Sequence, residues 1–196
     1  MSGGRAITLS AVLLAGGESR RMGRDKATLE FDGQPLWEQQ LELLRTIGPE
    51  QLFVSARTKP SWLPVDVESL LDDPPSRGPL SGLTKALATM RTTHLVALAV
   101  DMPFVTGEQL QRLYELAEIA RGVVPIIGDR VEPLAAVYPA EASPDFAEVL
   151  SGADFSLQGL IRKLAAQDKI RFFPIAAREE HFFRSVNQPD DLEFNA

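Results

Sequence analysis

The sequence contains no cysteine. Disulfides, thiolate nucleophiles and thiolate metal sites are therefore excluded, and any bound metal must be held mainly by oxygen ligands. No stretch approaches the roughly 18 continuous apolar residues of a membrane helix, and the N-terminal residues lack the apolar core of a secretory signal. We therefore expect a cytoplasmic protein that does not enter a membrane.

The chain also lacks a surplus of positive charge, because 20 Lys and Arg residues face 27 Asp and Glu residues and give a net charge of −7. Nucleic acids and anionic membranes are bound by basic surfaces, so the charge argues against both partners. A small anionic substrate fits better. With 196 residues, 44% of them hydrophobic and 24% charged, we expect one globular domain over residues 1–196.

The chain does have an apolar run at 7–14 that is followed at once by a glycine-containing, basic segment. Residues 14–26 read LAGGESRRMGRDK, and residues 18–26 carry a net charge of +2. The adjacent glycines Gly16 and Gly17 allow backbone N–H groups to face an anion, and the basic side chains add positive potential. The glycine spacing matches neither a Walker loop nor a dinucleotide fingerprint. The segment predicts a strand that leads into a phosphate-binding loop; the alternative is a surface loop with solvated basic residues.

Apolar runs alternate with helical periodicity along the rest of the chain. Strands are predicted at 7–14, 51–55, 65–71, 94–100 and 122–127, and helices at 35–47, 78–90 and 106–120. A strand at 132–138, helices at 143–150 and 157–166 and a last segment at 169–174 are expected to complete the same domain. This alternation predicts an α/β fold with a mostly parallel, doubly wound sheet, in which ligands bind beyond the carboxyl ends of the strands.

Two acidic positions follow predicted strands. Asp101 comes directly after the buried run 95–100 and could hold Mg²⁺ against nucleotide phosphates, since this ion takes one or two protein carboxylates. The pair Asp72 and Asp73 ends the run 65–71 in the same way. For each position the alternative is an aspartate that only accepts backbone hydrogen bonds in a turn. The two histidines have no ligand-like spacing, and we interpret both as structural or surface residues.

The segment 14–26 resembles the signature of the molybdenum cofactor guanylyltransferase family, a MobA-like group within the nucleotidyltransferase superfamily. Further blocks resemble the family in the same order: DGQPL at 32–36, GPLSG at 78–82, DMP at 101–103, EPL at 132–134 and VNQPDDL at 186–192. Together they span nearly the whole chain. The resemblance implies a Rossmann-like three-layer sandwich of the nucleotide-diphospho-sugar transferase type.

The resemblance further implies transfer of GMP from GTP to the terminal phosphate of molybdopterin, with Mg²⁺ as cofactor. It implies these roles: Leu14, Ala15, Gly16 and Gly17 in the nucleotide-contacting turn, Lys26 on the phosphates with help from Arg21, Asp73 on the nucleotide, Asp101 as the magnesium ligand, and Gly82 and Asn187 toward the acceptor. Ser55 stands where the family usually has an asparagine for guanine contact, and Ser185 replaces the first asparagine of the C-terminal block. Lys26, Arg21 and Asp101 are the expected catalytic residues.

Three other functions stay open at the level of the sequence. A molybdopterin cytidylyltransferase generally carries Leu-Ala-Ala-Gly, whereas this chain has Gly16 and Gly17 after Ala15. A sugar-phosphate nucleotidyltransferase is usually longer. A non-catalytic nucleotide-binding carrier would not need both Lys26 and Asp101. We expect a monomer, and proteins that deliver or receive the cofactor are plausible partners.

Overall fold

The computed structural model describes residues 6–16 and 25–186. The strands are β1 Leu9–Leu14, β2 Glu30–Phe31, β3 Gln34–Pro35, β4 Gln51–Ala56, β5 Glu68–Leu71, β6 His94–Ala99, β7 Gly122–Ile127, β8 Arg130–Val131, β9 Ala135–Pro139 and β10 Ile170–Pro174. The α-helices are α1 Leu36–Thr46, α2 Pro79–Thr89, α3 Gly107–Glu115, α4 Ser143–Ser151 and α5 Leu157–Ala166. Short 3-10 segments lie at Lys26–Thr28, Ala140–Ala142 and Ala177–Phe183.

Eight of these strands form one sheet with the order β10-β7-β9-β6-β1-β4-β5, and β8 pairs with β7. β1 is an interior strand that pairs in parallel with both β4 and β6, while β5 pairs in parallel with β4 and β10 with β7. β9 runs antiparallel to β6 and β7, and β8 runs antiparallel to β7. The sheet is therefore mostly parallel, as the sequence predicts.

Helices cover both faces of this sheet and bury two separate apolar cores. On one face α1 contributes Leu36, Leu41 and Leu44, and α3 contributes Leu110 and Leu113. The other face is covered by side chains from α2, α4 and α5: Leu80, Leu83, Ala86, Leu87, Phe146, Leu160, Ile161 and Leu164. The predicted three-layer α/β sandwich is confirmed. Burial on two faces explains why β1 and β6 read as continuous apolar runs rather than as alternating patterns.

The element boundaries differ from the predictions at several points. The run expected at 65–71 becomes a strand only from Glu68, and the helix expected to reach residue 120 ends at Glu115. The segment beyond Ile127 makes a hairpin: Gly128 adopts a positive φ of 56°, and β8 returns along β7. The predicted strand at 132–138 begins only at Ala135. Among the described residues no helix is long and apolar enough to cross a membrane.

Candidate active site

A cleft lies where the central strands end, as expected for an open α/β sheet. Leu14 in β1 is aligned with Ser55 in β4 on one side and with Ala99 in β6 on the other. The chain leaving β1 stays attached to both neighbours, because Ala15 N–H donates to Ser55 O at 2.8 Å and Val100 N–H donates to Leu14 O at 3.1 Å. The cleft is lined by Leu14, Gly16, Lys26, Ser55, Asp72, Gly78, Pro79, Ala99, Val100, Asp101 and Leu134.

Lys26 and Asp101 meet in this cleft. The ammonium nitrogen of Lys26 lies 3.2 Å from Asp101 Oδ2 and 3.4 Å from the carbonyl oxygen of Val186. Their side chains are 14% and 23% exposed, so each keeps some access to solvent. The Val186 N–H in turn donates to Asp101 O at 2.7 Å. Residues from three distant parts of the chain thus place one cation and one carboxylate at the end of β6.

Asp72 forms the opposite wall of the cleft. Its N–H donates to Ala56 O at 3.1 Å, which aligns it with the end of β4. Its carboxylate accepts hydrogen bonds from Ser76 Oγ at 2.6 Å and from Ser55 Oγ at 3.4 Å. A Cβ atom added to Gly16 would lie 3.7 Å from Asp72 Oδ2, so the backbone after β1 passes close to this carboxylate. Ser55 and Asp72 therefore act together as a polar wall.

The structure does not bring Asp73 to the cleft. Its side chain is 84% exposed and forms an ion pair with Lys85 at 3.0 Å, on the outer side of α2. The two aspartates are adjacent and point to different sides, as neighbouring residues in extended backbone do. Of the pair, Asp72 lines the cleft and Asp73 does not, and the nucleotide contact of Asp73 stays a prediction. The sequence signal that could have separated the two residues is the alternation of side-chain direction along β5, which continues past its last residue, Leu71, to Asp72 and Asp73.

Gly82 lies beneath the cleft rather than in it. It is buried in α2, and an added Cβ atom would lie 2.9 Å from Leu14 Cδ2 and closer still to Ser55 Oγ. The absence of a side chain lets α2 approach the ends of β1 and β4, and Gly82 itself does not line the cleft, so its role toward the acceptor stays a prediction. Gly17, Arg21 and Asn187, the other residues with predicted roles, lie outside the described residues.

A second carboxylate, Glu132, lies near Asp101; in the sequence it is named only as part of the block at 132–134, and no role is predicted for it there. Glu132 is buried, and burial together with the negative charge of Asp101 raises its pKa, against the opposing effects of Arg130 and a hydrogen bond from the Leu134 backbone. The Arg130 guanidinium lies 3.5 Å from its carboxylate. The Ala99 N–H donates to Leu134 O at 2.8 Å, so this segment is fastened to the end of β6. Of this segment it is Leu134, not Glu132 itself, that lines the cleft.

The oxygen donors in the cleft suit a hard divalent cation. Asp101 is partly exposed to the cleft, and Mg²⁺ characteristically binds through one or two carboxylates and completes its shell with phosphate oxygens and water. Over residues 6–16 and 25–186 no group of three or more His, Cys, Asp and Glu side chains could hold a metal ion by itself. The donor set therefore fits an ion that is shared with a phosphate ligand, not a cage made by protein alone.

Comparison of the sequence with known protein families identifies the family of the chain. Residues 11–169 match the sequence profile of the MobA-like NTP transferase domain. The chain belongs to this family. The matched part contains most of β1, the Lys26–Thr28 turn, Ser55, Asp72 and Asp101, and so covers the described cleft except for its contact with Val186.

Relatives of this MobA-like domain are similar over almost their full length. A probable molybdenum cofactor guanylyltransferase from Opitutus terrae is 34% identical over 191 residues, covering 96% of this chain and 95% of the relative. A molybdenum cofactor guanylyltransferase from Cereibacter sphaeroides is 35% identical over 195 residues, covering 95% of this chain and 94% of the relative.

Solved structures are similar in fold. The molybdopterin-guanine dinucleotide biosynthesis protein A from Archaeoglobus fulgidus aligns with a TM-score of 0.71 at 28% identity, covering 95% of each chain. A 2-C-methyl-D-erythritol 4-phosphate cytidylyltransferase from Thermus thermophilus aligns with a TM-score of 0.68 at 18% identity, covering 95% of this chain and 96% of that one. At that identity the second similarity concerns the fold alone.

Proposed function

We propose that this MobA-like domain transfers GMP from GTP to the terminal phosphate of molybdopterin and releases pyrophosphate. The observation that carries the proposal is the cleft in which Lys26 and Asp101 meet at the end of β6, in a chain whose relatives are named for this reaction. In the transfer, a phosphate oxygen of the acceptor bonds to the α-phosphorus of GTP, and the bond from that phosphorus to the pyrophosphate oxygen breaks. No covalent enzyme intermediate is required.

The main task of the protein is to hold two anions in line and to oppose their charge. The Lys26 ammonium group would bind nucleotide phosphate, and the backbone N–H groups near Gly16 would add partial positive charge. Asp101 would hold Mg²⁺, which when bound neutralises charge on the phosphate oxygens. The predicted roles of Gly17 and Arg21 on the phosphates, and of Asn187 on the acceptor, complete the proposal.

The wall formed by Ser55 and Asp72 supports a contact with the nucleotide. We assign that contact to Asp72 rather than to Asp73, because Asp72 lines the cleft beside Gly16 and Asp73 does not. An ionised carboxylate only accepts hydrogen bonds, so its two oxygens can pair with the adjacent N1–H and N2–H donors of guanine, whereas adenine and cytosine present one amino donor beside a ring-nitrogen acceptor. GTP and molybdopterin are therefore the proposed substrates, and the monomer is the expected form of the enzyme.

Pyrophosphate release tests the proposal directly. The purified chain would be incubated with molybdopterin and Mg²⁺, and GTP would be compared with CTP, ATP and UTP at equal concentration. We expect release with GTP that depends on both the acceptor and Mg²⁺, and formation of the guanine dinucleotide by mass spectrometry. Preference for CTP would move the chain to cytidylyl transfer, and no release from folded protein with intact acceptor would contradict the proposal.

A further inference from the structure

The turn that carries Lys26 is fixed by its neighbour Asp25. The Asp25 Oδ1 atom accepts a hydrogen bond from Ala27 N–H at 3.0 Å, and this caps the 3-10 segment Lys26–Thr28. The Asp25 carbonyl oxygen accepts from Thr28 N–H at 3.0 Å and from Thr28 Oγ at 2.9 Å. The Ala27 side chain is fully buried in the core. The cap and the buried alanine therefore set the direction in which Lys26 leaves the backbone.

The second oxygen of the same carboxylate is held from outside the turn. Trp62, in the connection between β4 and β5, donates its indole N–H to Asp25 Oδ2 at 3.2 Å. Its ring stacks on Trp37 of α1 with a centroid distance of 5.0 Å and an interplanar angle of 13°. Trp37 is itself partly buried against the core. The stack with Trp37 thus restrains the Trp62 ring, and each oxygen of the Asp25 carboxylate accepts a hydrogen bond.

We propose that Trp62 is a positioning residue for Lys26 and acts through the Asp25 carboxylate. The inference rests on the proposed function. With one oxygen bound to Trp62 and the other to Ala27 N–H, rotation of the carboxylate is restricted and the cap is kept. Without the indole N–H, the carboxylate can turn toward water and the direction of Lys26 becomes less well defined. Phosphate positioning depends on such precision, because a misplacement of about 1 Å can cost about a hundredfold in rate.

The alternative is that Trp62 only packs against Trp37, and a matched pair of variants separates the two roles. Trp62→Phe keeps an aromatic ring on Trp37 and removes the N–H that reaches Asp25. Trp37→Phe makes a similar loss of ring area in the same stack and leaves that N–H in place. If the hydrogen bond from Trp62 to Asp25 positions Lys26, Trp62→Phe lowers kcat/KM for GTP about fivefold to tenfold. This is the loss expected for one hydrogen bond to a charged group in a partly exposed site.

The control variant should keep kcat/KM within about twofold of wild type, because it trims a partly buried ring and removes no contact with the Asp25 carboxylate. The KM for molybdopterin should not change in either variant, because Lys26 is assigned to the nucleotide phosphates. A purely structural role would instead lower the active fraction and affect both substrates equally. Thermal unfolding of the two variants, measured side by side, shows whether they differ in folding.

A double-mutant cycle tests the route through Asp25. Asp25→Asn keeps its one carbonyl oxygen for the Ala27 N–H and then presents its amide N–H to Trp62, so the hydrogen bond from the indole N–H is lost. If Trp62 acts through this carboxylate, kcat/KM of the double variant Trp62→Phe with Asp25→Asn stays close to that of Asp25→Asn alone. Losses that multiply would show independent action and overturn the inference.

The outcomes also distinguish this inference from the proposed function. If the wild-type chain gives no pyrophosphate release with GTP and molybdopterin, the proposed function fails before any variant is compared. If wild type is active and Trp62→Phe equals Trp37→Phe in kcat/KM for GTP, the positioning role of Trp62 is wrong while the function stands.

Discussion

The Lys26 ammonium group lies 3.2 Å from Asp101 Oδ2, although the two residues are 75 positions apart in the chain. The contact joins the turn that follows the glycine segment to the end of the central strand β6. Because both side chains keep partial exposure, the pair can exchange its mutual contact for contacts with a phosphate and a cation. This is the arrangement that a phosphoryl-transfer site needs, since its positive groups must be in place before the substrate arrives.

Asp101→Asn should strongly reduce transfer while the fold is retained. The amide keeps the size of the side chain but lacks the negative charge that holds a divalent cation. Removing one such electrostatic element typically costs about a hundredfold to a thousandfold in rate, and we expect a loss of that order in pyrophosphate release at saturating Mg²⁺. Thermal unfolding should change little because the side chain is partly exposed. Activity within tenfold of wild type would contradict the metal assignment.

Asp72 and Asp73 provide a comparison of adjacent residues with different surroundings. Asp72→Asn should raise KM for GTP at least about tenfold, since a hydrogen bond to a charged group in the cleft is lost. Asp73→Asn serves as the control and should stay within about twofold, because an exposed ion pair with Lys85 contributes little. Steady-state kinetics with GTP as the varied substrate measures both. A larger effect at Asp73 would support the nucleotide contact that the sequence analysis predicts for that residue and contradict the assignment to Asp72.

The sequence predicted most of the sheet because its central strands are buried on both faces. β1, β4 and β6 appear as short apolar runs that end at the candidate site residues, and this places Leu14, Ser55 and Asp101 at one edge. The direction of β9 could not be obtained in the same way. An apolar run shows that a strand is buried but not which way it runs. The sequence of β9, which lies antiparallel between β6 and β7, would look the same if a crossover made it parallel.

The site was predicted less completely than the fold. The choice between Asp72 and Asp73 depends on one step of backbone alternation, which requires the exact end of β5 and lies within the uncertainty of any sequence boundary. The roles of Asp25 and Trp62 depend on a hydrogen bond between residues 37 positions apart. Such contacts are set by tertiary packing and leave no periodic signal in the sequence.

Gly82→Ala should destabilise the protein, because its new Cβ atom would meet Leu14 Cδ2 at 2.9 Å and Ser55 Oγ at a shorter distance still. Overpacking of this kind costs about 1–3 kcal/mol in the free energy of unfolding. Gly159→Ala in α5 is the control, since its Cβ atom would lie an ordinary 3.6 Å from Ser156 Oγ. In that helix the change should stabilise by about 0.5–1 kcal/mol. Urea unfolding of both variants measures the difference, and adding Ser55→Gly should recover part of the loss at Gly82.

His94 should make the free energy of unfolding depend on pH below about pH 6.5. Burial lowers its pKa, against the raising effect of hydrogen bonds to the carbonyl groups of Arg121 and Glu118. Its Nε2 lies 3.0 Å from Glu118 O and 3.3 Å from Arg121 O, contacts that a neutral ring with Nε2–H satisfies. The unfolded chain keeps the ordinary pKa of about 6.5 and therefore binds more protons than the folded chain just below that pH.

It follows that the His94 contribution to the free energy of unfolding is complete above about pH 6.5 and falls as the pH drops toward the lowered pKa of the folded state, by at most about 1.4 kcal/mol per pH unit. Below the folded pKa the contribution is constant. His94→Gln keeps an N–H donor for the two carbonyl oxygens and removes the titration, so its urea midpoints between pH 5 and 8 should depend less on pH than those of wild type. His181→Gln, at an exposed position, should follow the wild-type curve. Parallel curves for wild type and His94→Gln would show that the buried imidazole does not link protonation to folding.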